Sequence, residues 1–266
     1  MKKNYMLFHN KEKYTEPIQF HSHDYYEIYF FADGNVKYYV ENEDYELKKG
    51  DVLIIPPGKL HRPVIDQNLI YERYVLWIFN SFLRDNAGIH ELIDDISSLV
   101  LEKNTRLISL DDTAFTYTCN LLNKTIPDAH TEATSEFVSE CRLALVLDEL
   151  KQAFKNTNQR TNVNNDLSRQ LILYLNEHYL SNPSLDDLAE EFYVSKYYLS
   201  HKFKEHTKTT IHNYILMKKI NLAKELLNSG MSPQNVSSKC GFSTYSNFYK
   251  AFVSQTGISP KKYRTE

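Results

Sequence analysis

Two stretches near the C-terminal end, SLDDLAEEFYVSKYYLSHKFKEHT (184–207) and SPQNVSSKCGFSTYSNFYKAFVSQT (232–256), repeat one anatomy. Each opens on a serine, passes through a short helical stretch to a tight turn, meets a second serine, and closes on a helix with an aromatic residue near its end. Serine side chains cap orphan backbone N–H groups at helix starts, and glycine accepts the left-handed backbone found at helix stops. Start signals fall at Ser184, Ser195, Ser232 and Ser243, and stops near Gly230, Gly241 and Gly257. Each stretch therefore reads as a helix-turn-helix. In the first, Leu185, Leu188 and Ala189 are expected to face the core, Phe192 and Val194 to fill the turn, and Leu199 and Phe203 to anchor the second helix. In the second, Val236 and Phe242 take those places, and Phe248 and Phe252 are the anchors. The apolar helix IHNYILMKKINLAKELLNSG between the units would be a rod presenting two recognition helices on one side. Such helices reach two successive major-groove segments of B-DNA, about one helical turn apart.

The charge distribution points the same way, weakly. From Asn162 to Glu266 there are 13 Lys and Arg against 9 Asp and Glu, which leaves 18 against 25 before it. The C-terminal part is the candidate for touching a polyanion. Three well-separated cysteines, Cys119, Cys141 and Cys240, form no CxxC pair and suggest buried reduced thiols. No stretch has signal-peptide character and no run approaches the ~18 apolar residues of a membrane span, so the cytoplasm is the expected location.

From Glu16 to about Phe79, runs such as YYEIYFF, NVKYYVE and LIYERYVLWIF alternate apolar with polar residues, punctuated at Asp33-Gly34 and Lys49-Gly50. Period two with tight-turn residues indicates antiparallel strands closing into a small barrel or sandwich. After Asn80 the spacing becomes helical. Leu143, Leu147, Leu150 and Phe154 form one stripe, which suits either packing on the barrel or the seam of a homodimer. The asparagine-rich stretch KNTNQRTNVNND, Lys155 to Asp166, reads as a linker. The expected architecture is α+β in two domains: a barrel over 1–80, a helical dimerisation segment over 81–155, a linker over 156–165, and an all-α domain over 166–266 with two helix-turn-helix units.

From about Leu167 to Arg264, including the closing pattern CGFSTYSNFYKAFVSQTGISPKKYR, the chain resembles the AraC/XylS family of bacterial transcription regulators. Two positions depart from the family pattern: Lys208 stands where a glycine usually ends the first recognition helix, and Lys218-Lys219 where an arginine is usual in the rod. Lys208 must then accept a positive φ or alter the cap. The resemblance implies that Tyr197, Ser200, His201, Tyr245, Ser246, Tyr249 and Lys250 meet base edges. Lys196, Lys202, Lys204 and the capping amides at Ser195 and Ser243 would hold phosphates.

HSHDYYEIYFFADG (21–34) and GDVLIIPPGKLH (50–61) resemble the two halves of the cupin signature, whose metal ligands map onto His21, His23, Glu27 and His61. Strand alternation would put His21, His23 and Glu27 on one face, and three imidazoles with one carboxylate suit Zn, Fe, Mn, Ni or Cu. The competing reading makes the same residues the polar wall of an effector pocket, with His23, Tyr25, Glu27, Tyr38, His61, Arg62 and Trp77 as its groups. The sequence thus describes a regulator that binds double-stranded promoter DNA as a homodimer and answers to a small molecule, with carbohydrate metabolism as the expected pathway by family analogy. This reading requires no cofactor and leaves room for one divalent metal at the cupin-like site. A metal-dependent cupin enzyme or metal sensor carrying a DNA-binding module is the alternative, and a protein scaffold is disfavoured by the lysines on the presumptive DNA side.

Overall fold

A computed structural model describes residues 5–14, 16–41, 43–103, 105–126, 135–156 and 167–264. Strands β1 (Tyr5–Glu12), β2 (Tyr25–Asp33), β5 (Asp51–Ile55), β7 (Tyr71–Phe79) and β8 (Leu107–Ser109) form an antiparallel sheet in the order β1-β7-β2-β5-β8. Strands β3 (Val36–Val40), β4 (Glu43–Glu46) and β6 (His61–Ile65) form a second sheet, β4-β3-β6. Tyr29, Phe31, Tyr38, Val40, Leu53, Ile55 and Tyr71 fill the space between the sheets. Alternate β2 and β5 residues, Ile28, Phe30, Val52 and Ile54, face the other way into a second core. The larger sheet is therefore buried on both faces, which is why YFF and VLII are continuous apolar runs instead of alternating ones.

That second core is closed by helices α1 (Asn80–Asp85), α2 (Ala87–Lys103), α3 (Asp112–Thr125) and α4 (Glu136–Asn156). Leu143, Leu147, Leu150 and Phe154 of α4 are buried in it, so this stripe packs on the sheet and its helices and is not a dimer seam. The 81–155 segment is not purely helical: β8 lies inside it and pairs with β5 through Asp51↔Ser109, Val52↔Ile108 and Leu53↔Leu107. Three residues are too few to show a period, and burial beside the sheet edge decides their conformation. Apart from Lys155 and Asn156, which end α4, the expected linker lies outside the described residues.

The C-terminal part comprises α5 (Leu167–His178), a 3-10 turn (Tyr179–Ser181), α6 (Leu185–Glu191), α7 (Lys196–Thr207), α8 (Ile211–Asn228), α9 (Pro233–Lys239), α10 (Tyr245–Thr256) and α11 (Pro260–Tyr263). The helix α8 is shared between two cores. Ile211, Tyr214, Ile215 and Met217 join Leu188, Leu199 and Phe203 of the first unit. Ile220, Ala223 and Leu227 join Val236, Cys240, Phe248 and Phe252 of the second. Lys219, buried at the middle of α8, donates to Asn182 and to the Gly241 carbonyl (2.8 Å), tying the turn of the second unit to the segment before the first. Burial pushes its ammonium below the usual lysine range.

Several local expectations are corrected. Leu185 is exposed, because it occupies the first turn of α6 outside the core contact. The cap of α10 is Thr244, which accepts from the Asn247 amide (3.2 Å), whereas the Ser243 hydroxyl accepts from the Asn247 side chain (3.2 Å). Both residues are good caps, and the helix start at Tyr245 selects the nearer one. Cys240 is buried, but Cys119 is half-buried and Cys141 exposed, all three unpaired. Lys208 does adopt the left-handed backbone, φ +55°, in the glycine place.

The strand domain docks against α8. The Phe20 and Leu60 side chains enter the core of the first helix-turn-helix unit. Lys218 pairs with Glu41 (3.0 Å), Asn221 bonds Ser22 (3.0 Å) and the Gly58 carbonyl (2.9 Å), and Lys224 pairs with Asp24 (3.0 Å), which also accepts from the Tyr263 hydroxyl (2.6 Å).

Candidate functional site

On the helical face, burial separates anchors from readers. Leu199, Phe203, Phe248 and Phe252 are fully buried, whereas Tyr197, His201, Tyr245, Ser246, Tyr249, Lys196, Lys204 and Lys250 are exposed and Ser200 and Lys202 half-exposed. Helical spacing of four brings Tyr197 beside His201 (ring centroids 6.0 Å) and Tyr245 beside Tyr249 (6.3 Å), so each recognition helix carries a protruding aromatic pair. Ser200, Lys204, Ser243, Asn247 and Lys250 line a groove of about 830 Å³ between the two units. Lys196 pairs with Asp186 (2.6 Å) and Lys202 with Glu205 (2.9 Å), exposed pairs that a phosphate could displace at small cost. The Ser195 side chain caps α7 by accepting from the Tyr198 amide (3.2 Å).

In the strand domain, a cavity of about 320 Å³ opens between the sheets. Glu27, Tyr38 and Trp77 line it with His21, Asn10, Tyr29, Tyr71 and Arg73. The remaining groups of the expected pocket lie elsewhere. Tyr25 stacks on His23 (3.9 Å, 2° between planes), and the fully buried His61 stands behind Glu27. Arg62 is buried between the Phe20 and Tyr39 rings (5.8 and 5.4 Å), toward the dock with the helical part. Asn10, Tyr71 and Arg73 carry no local signal, since β7 meets β2 and β1 meets β7 only through the sheet register, whereas Tyr29 shares the parity of Glu27 on β2 and was open to the same alternation.

Three of the four cupin-like positions converge: ligand atoms of His23, Glu27 and His61 lie within 4.8 Å of one another. His21 does not join them. It is an isolated bridge residue opposite His61, and β2 begins only at Tyr25, so strand alternation does not extend back through His23. The His21 ring is exposed, bonds the Gln19 carbonyl (2.9 Å) and packs against His61 (4.4 Å). Glu27 accepts from the Tyr38 hydroxyl (3.1 Å) and the Trp77 indole (2.8 Å). Burial works to raise the Glu27 carboxyl, yet the His23 and His61 rings in their protonated form, together with the indole, outweigh it and hold the group down at about 2. Burial lowers His61 to about 3 and pushes the Tyr38 phenol well up, which keeps it a donor to Glu27. The residues thus fit a metal of the borderline class: two imidazoles and an ionised carboxylate converge in a protected place.

Residues 10–88 match the family model of the AraC-like ligand binding domain, and residues 188–266 that of a helix-turn-helix domain. The chain belongs to the AraC family. As an AraC-type transcription regulator it joins an effector-binding domain to a sequence-specific DNA-binding domain with two helix-turn-helix units. Over 251 residues it is 25% identical to the transcriptional activator RhaS of Escherichia fergusonii, covering 92% of this chain and 86% of that one. It is 23% identical over 245 residues to the uncharacterized regulator YdiP of Escherichia coli, covering 90% and 78%. Among solved structures it is similar to ToxT of Vibrio cholerae, at 15% identity, TM-score 0.41, and 99% and 98% coverage. Among the described residues of this AraC-family chain, no helix is long and apolar enough to cross a membrane.

Proposed function

We propose that this regulator reads a two-part promoter operator through α7 and α10, and that a small polar effector, a carbohydrate or similar polyol, occupies the strand-domain cavity. The observation that carries the DNA reading is the protruding pairs Tyr197/His201 and Tyr245/Tyr249 above buried phenylalanine anchors. Hydroxyl and imidazole groups exchange hydrogen bonds with base edges, and ring faces contact thymine methyls. The lysines hold phosphates and set affinity without reading sequence. Lys202→Ala is expected to weaken binding to every duplex and lower the salt slope by about one, while Ser246→Ala costs ~1–3 kcal/mol on the cognate site alone. Unchanged binding in both variants would overturn this placement.

The carbohydrate reading is supported by the lining: Trp77, Tyr29 and Tyr71 offer ring faces, and Glu27, Asn10 and Arg73 offer hydrogen bonds at fixed directions. A homodimer is supported by a second face of α4. Phe137, Cys141 and Leu145 recur every four residues and all are exposed, Phe137 to 73%, so this stripe is free when the buried one is not. Leu145→Glu is expected to yield a monomer in sedimentation analysis.

A further inference from the structure

The imidazoles of His23 and His61 are each fixed by a backbone carbonyl. His23 Nδ1 lies 2.9 Å from the Tyr25 oxygen and His61 Nδ1 2.8 Å from the Lys59 oxygen. A carbonyl can only accept, so both Nδ1 atoms carry the proton, and in the neutral rings both Nε2 atoms are bare lone pairs. Both Nε2 atoms are buried and make no hydrogen bond. They face Glu27, at 3.3 Å from His23 and 3.9 Å from His61, and that carboxylate is itself an acceptor already supplied by Tyr38 and Trp77. Three electron-rich groups therefore converge with no donor among them, an arrangement that is costly unless a cation sits between.

Neighbouring residues give the cluster a mechanical setting. His23 lies between Ser22 and Asp24, which bond Asn221, Lys224 and Tyr263. His61 follows Leu60, whose side chain enters the first helix-turn-helix core and whose amide donates to Glu41, the partner of Lys218. The two segments that grip α8 are the two that carry the histidines.

We propose that His23 Nε2, His61 Nε2 and a Glu27 oxygen bind one divalent transition-metal ion of the Zn²⁺ class, and that the ion fixes the segments gripping α8, so that metal binding and the domain dock strengthen each other. With bonds of ~2.0–2.2 Å, tetrahedral ligand atoms sit ~3.4 Å apart, so a cluster whose atoms lie within 4.8 Å of one another contracts by up to about 1.4 Å on binding. Because Glu27 lines the cavity, the ion would stand at the wall of the effector site. Reciprocity is then required: whatever factor the ion adds to docking, docking adds to ion affinity. The dock takes its meaning from the regulator reading, and DNA binding is tested separately.

The experiment titrates Zn²⁺, and Co²⁺ for its visible absorption, into full-length protein prepared without a histidine tag and stripped with chelator. Hydrogen exchange of residues 20–24, 58–62 and α8 is followed in the same samples. One equivalent is expected to bind, with affinity reduced at least tenfold in Glu27→Gln and His61→Ala. Glu27→Gln preserves shape and serves if His61→Ala does not fold. Exchange at the dock should slow on Zn²⁺ addition, and Asn221→Ala, which touches no ligand, should weaken Zn²⁺ binding by up to the factor that Zn²⁺ adds to protection. Failure to bind either ion, or binding unaltered in Glu27→Gln, overturns the site. Binding with unchanged exchange and unchanged affinity in Asn221→Ala overturns the coupling. A stripped chain that still binds DNA selectively leaves the regulator reading intact whichever result is obtained.

Discussion

Lys218→Ala should be far more damaging than Lys224→Ala, although both lysines reach a carboxylate at 3.0 Å across the same dock. The difference is burial of the partner. Glu41 has a side chain only 6% exposed, and without Lys218 its charge keeps, among the described residues, a single hydrogen bond, from the Leu60 amide at 3.0 Å. Removing one partner of a buried ion pair costs ~3–5 kcal/mol, because the remaining charge is uncompensated. Asp24 is 40% exposed and keeps the Tyr263 hydroxyl at 2.6 Å, so loss of Lys224 falls in the ~0–1 kcal/mol range of surface pairs. The assay is native-state hydrogen exchange at Leu60 and along α8, backed by urea unfolding of the full chain. About 3 kcal/mol for Lys218→Ala is expected, with most of it recovered in the double variant Glu41→Gln, Lys218→Ala, where no charge is stranded. Equal losses for the two lysines, or no recovery in the double variant, would show that burial of Glu41 does not set the difference.

Gly241→Ala is expected to lose clearly more stability than Gly230→Ala in thermal unfolding: both have a positive φ, worth ~1–2 kcal/mol, but a Cβ at Gly241 would lie 2.6 Å from the Leu180 carbonyl oxygen while none is near at Gly230. Thr244→Ala should cost ~1 kcal/mol and Ser243→Ala a few tenths, reversed if the serine were the cap. In the metal-free protein the unfolded chain binds the extra protons, at His61 between about 3 and 6.5 and at Glu27 between about 2 and 4.5. Stability measured by urea titration should therefore fall as pH drops from 6.5, and a rise on acidification would contradict the burial of this pair.

What could be read from the sequence was what has a local period or a local cap. The helix-turn-helix anchors and the Ser184, Ser195 and Ser232 caps each depend on residues within a few positions, whereas the positive φ at Lys208 was one of two alternatives that the family resemblance left open. The strands between Glu16 and Phe79 were legible because turns punctuate them; β1 lies before that stretch and was not read, and β8 was not because three residues show no period. The α4 stripe revealed burial without naming its partner, since sheet packing and a dimer seam demand the same spacing. His21 misled because a strand parity was extended through a stretch that is not strand. The dock itself, joining Glu41 to Lys218 and Ser22 to Asn221, spans the two domains and leaves no trace in either local pattern.

If α7 and α10 read two adjacent major-groove segments, a footprint on DNA will show both. Duplexes selected from random sequence on the full-length protein would be probed by methylation interference. Interfering positions are expected on two groove faces about 10 base pairs apart, the first weakened by Tyr197→Ala and the second by Tyr245→Ala. A single interfering face, or selection that returns no preferred sequence, would rule out reading by both helices.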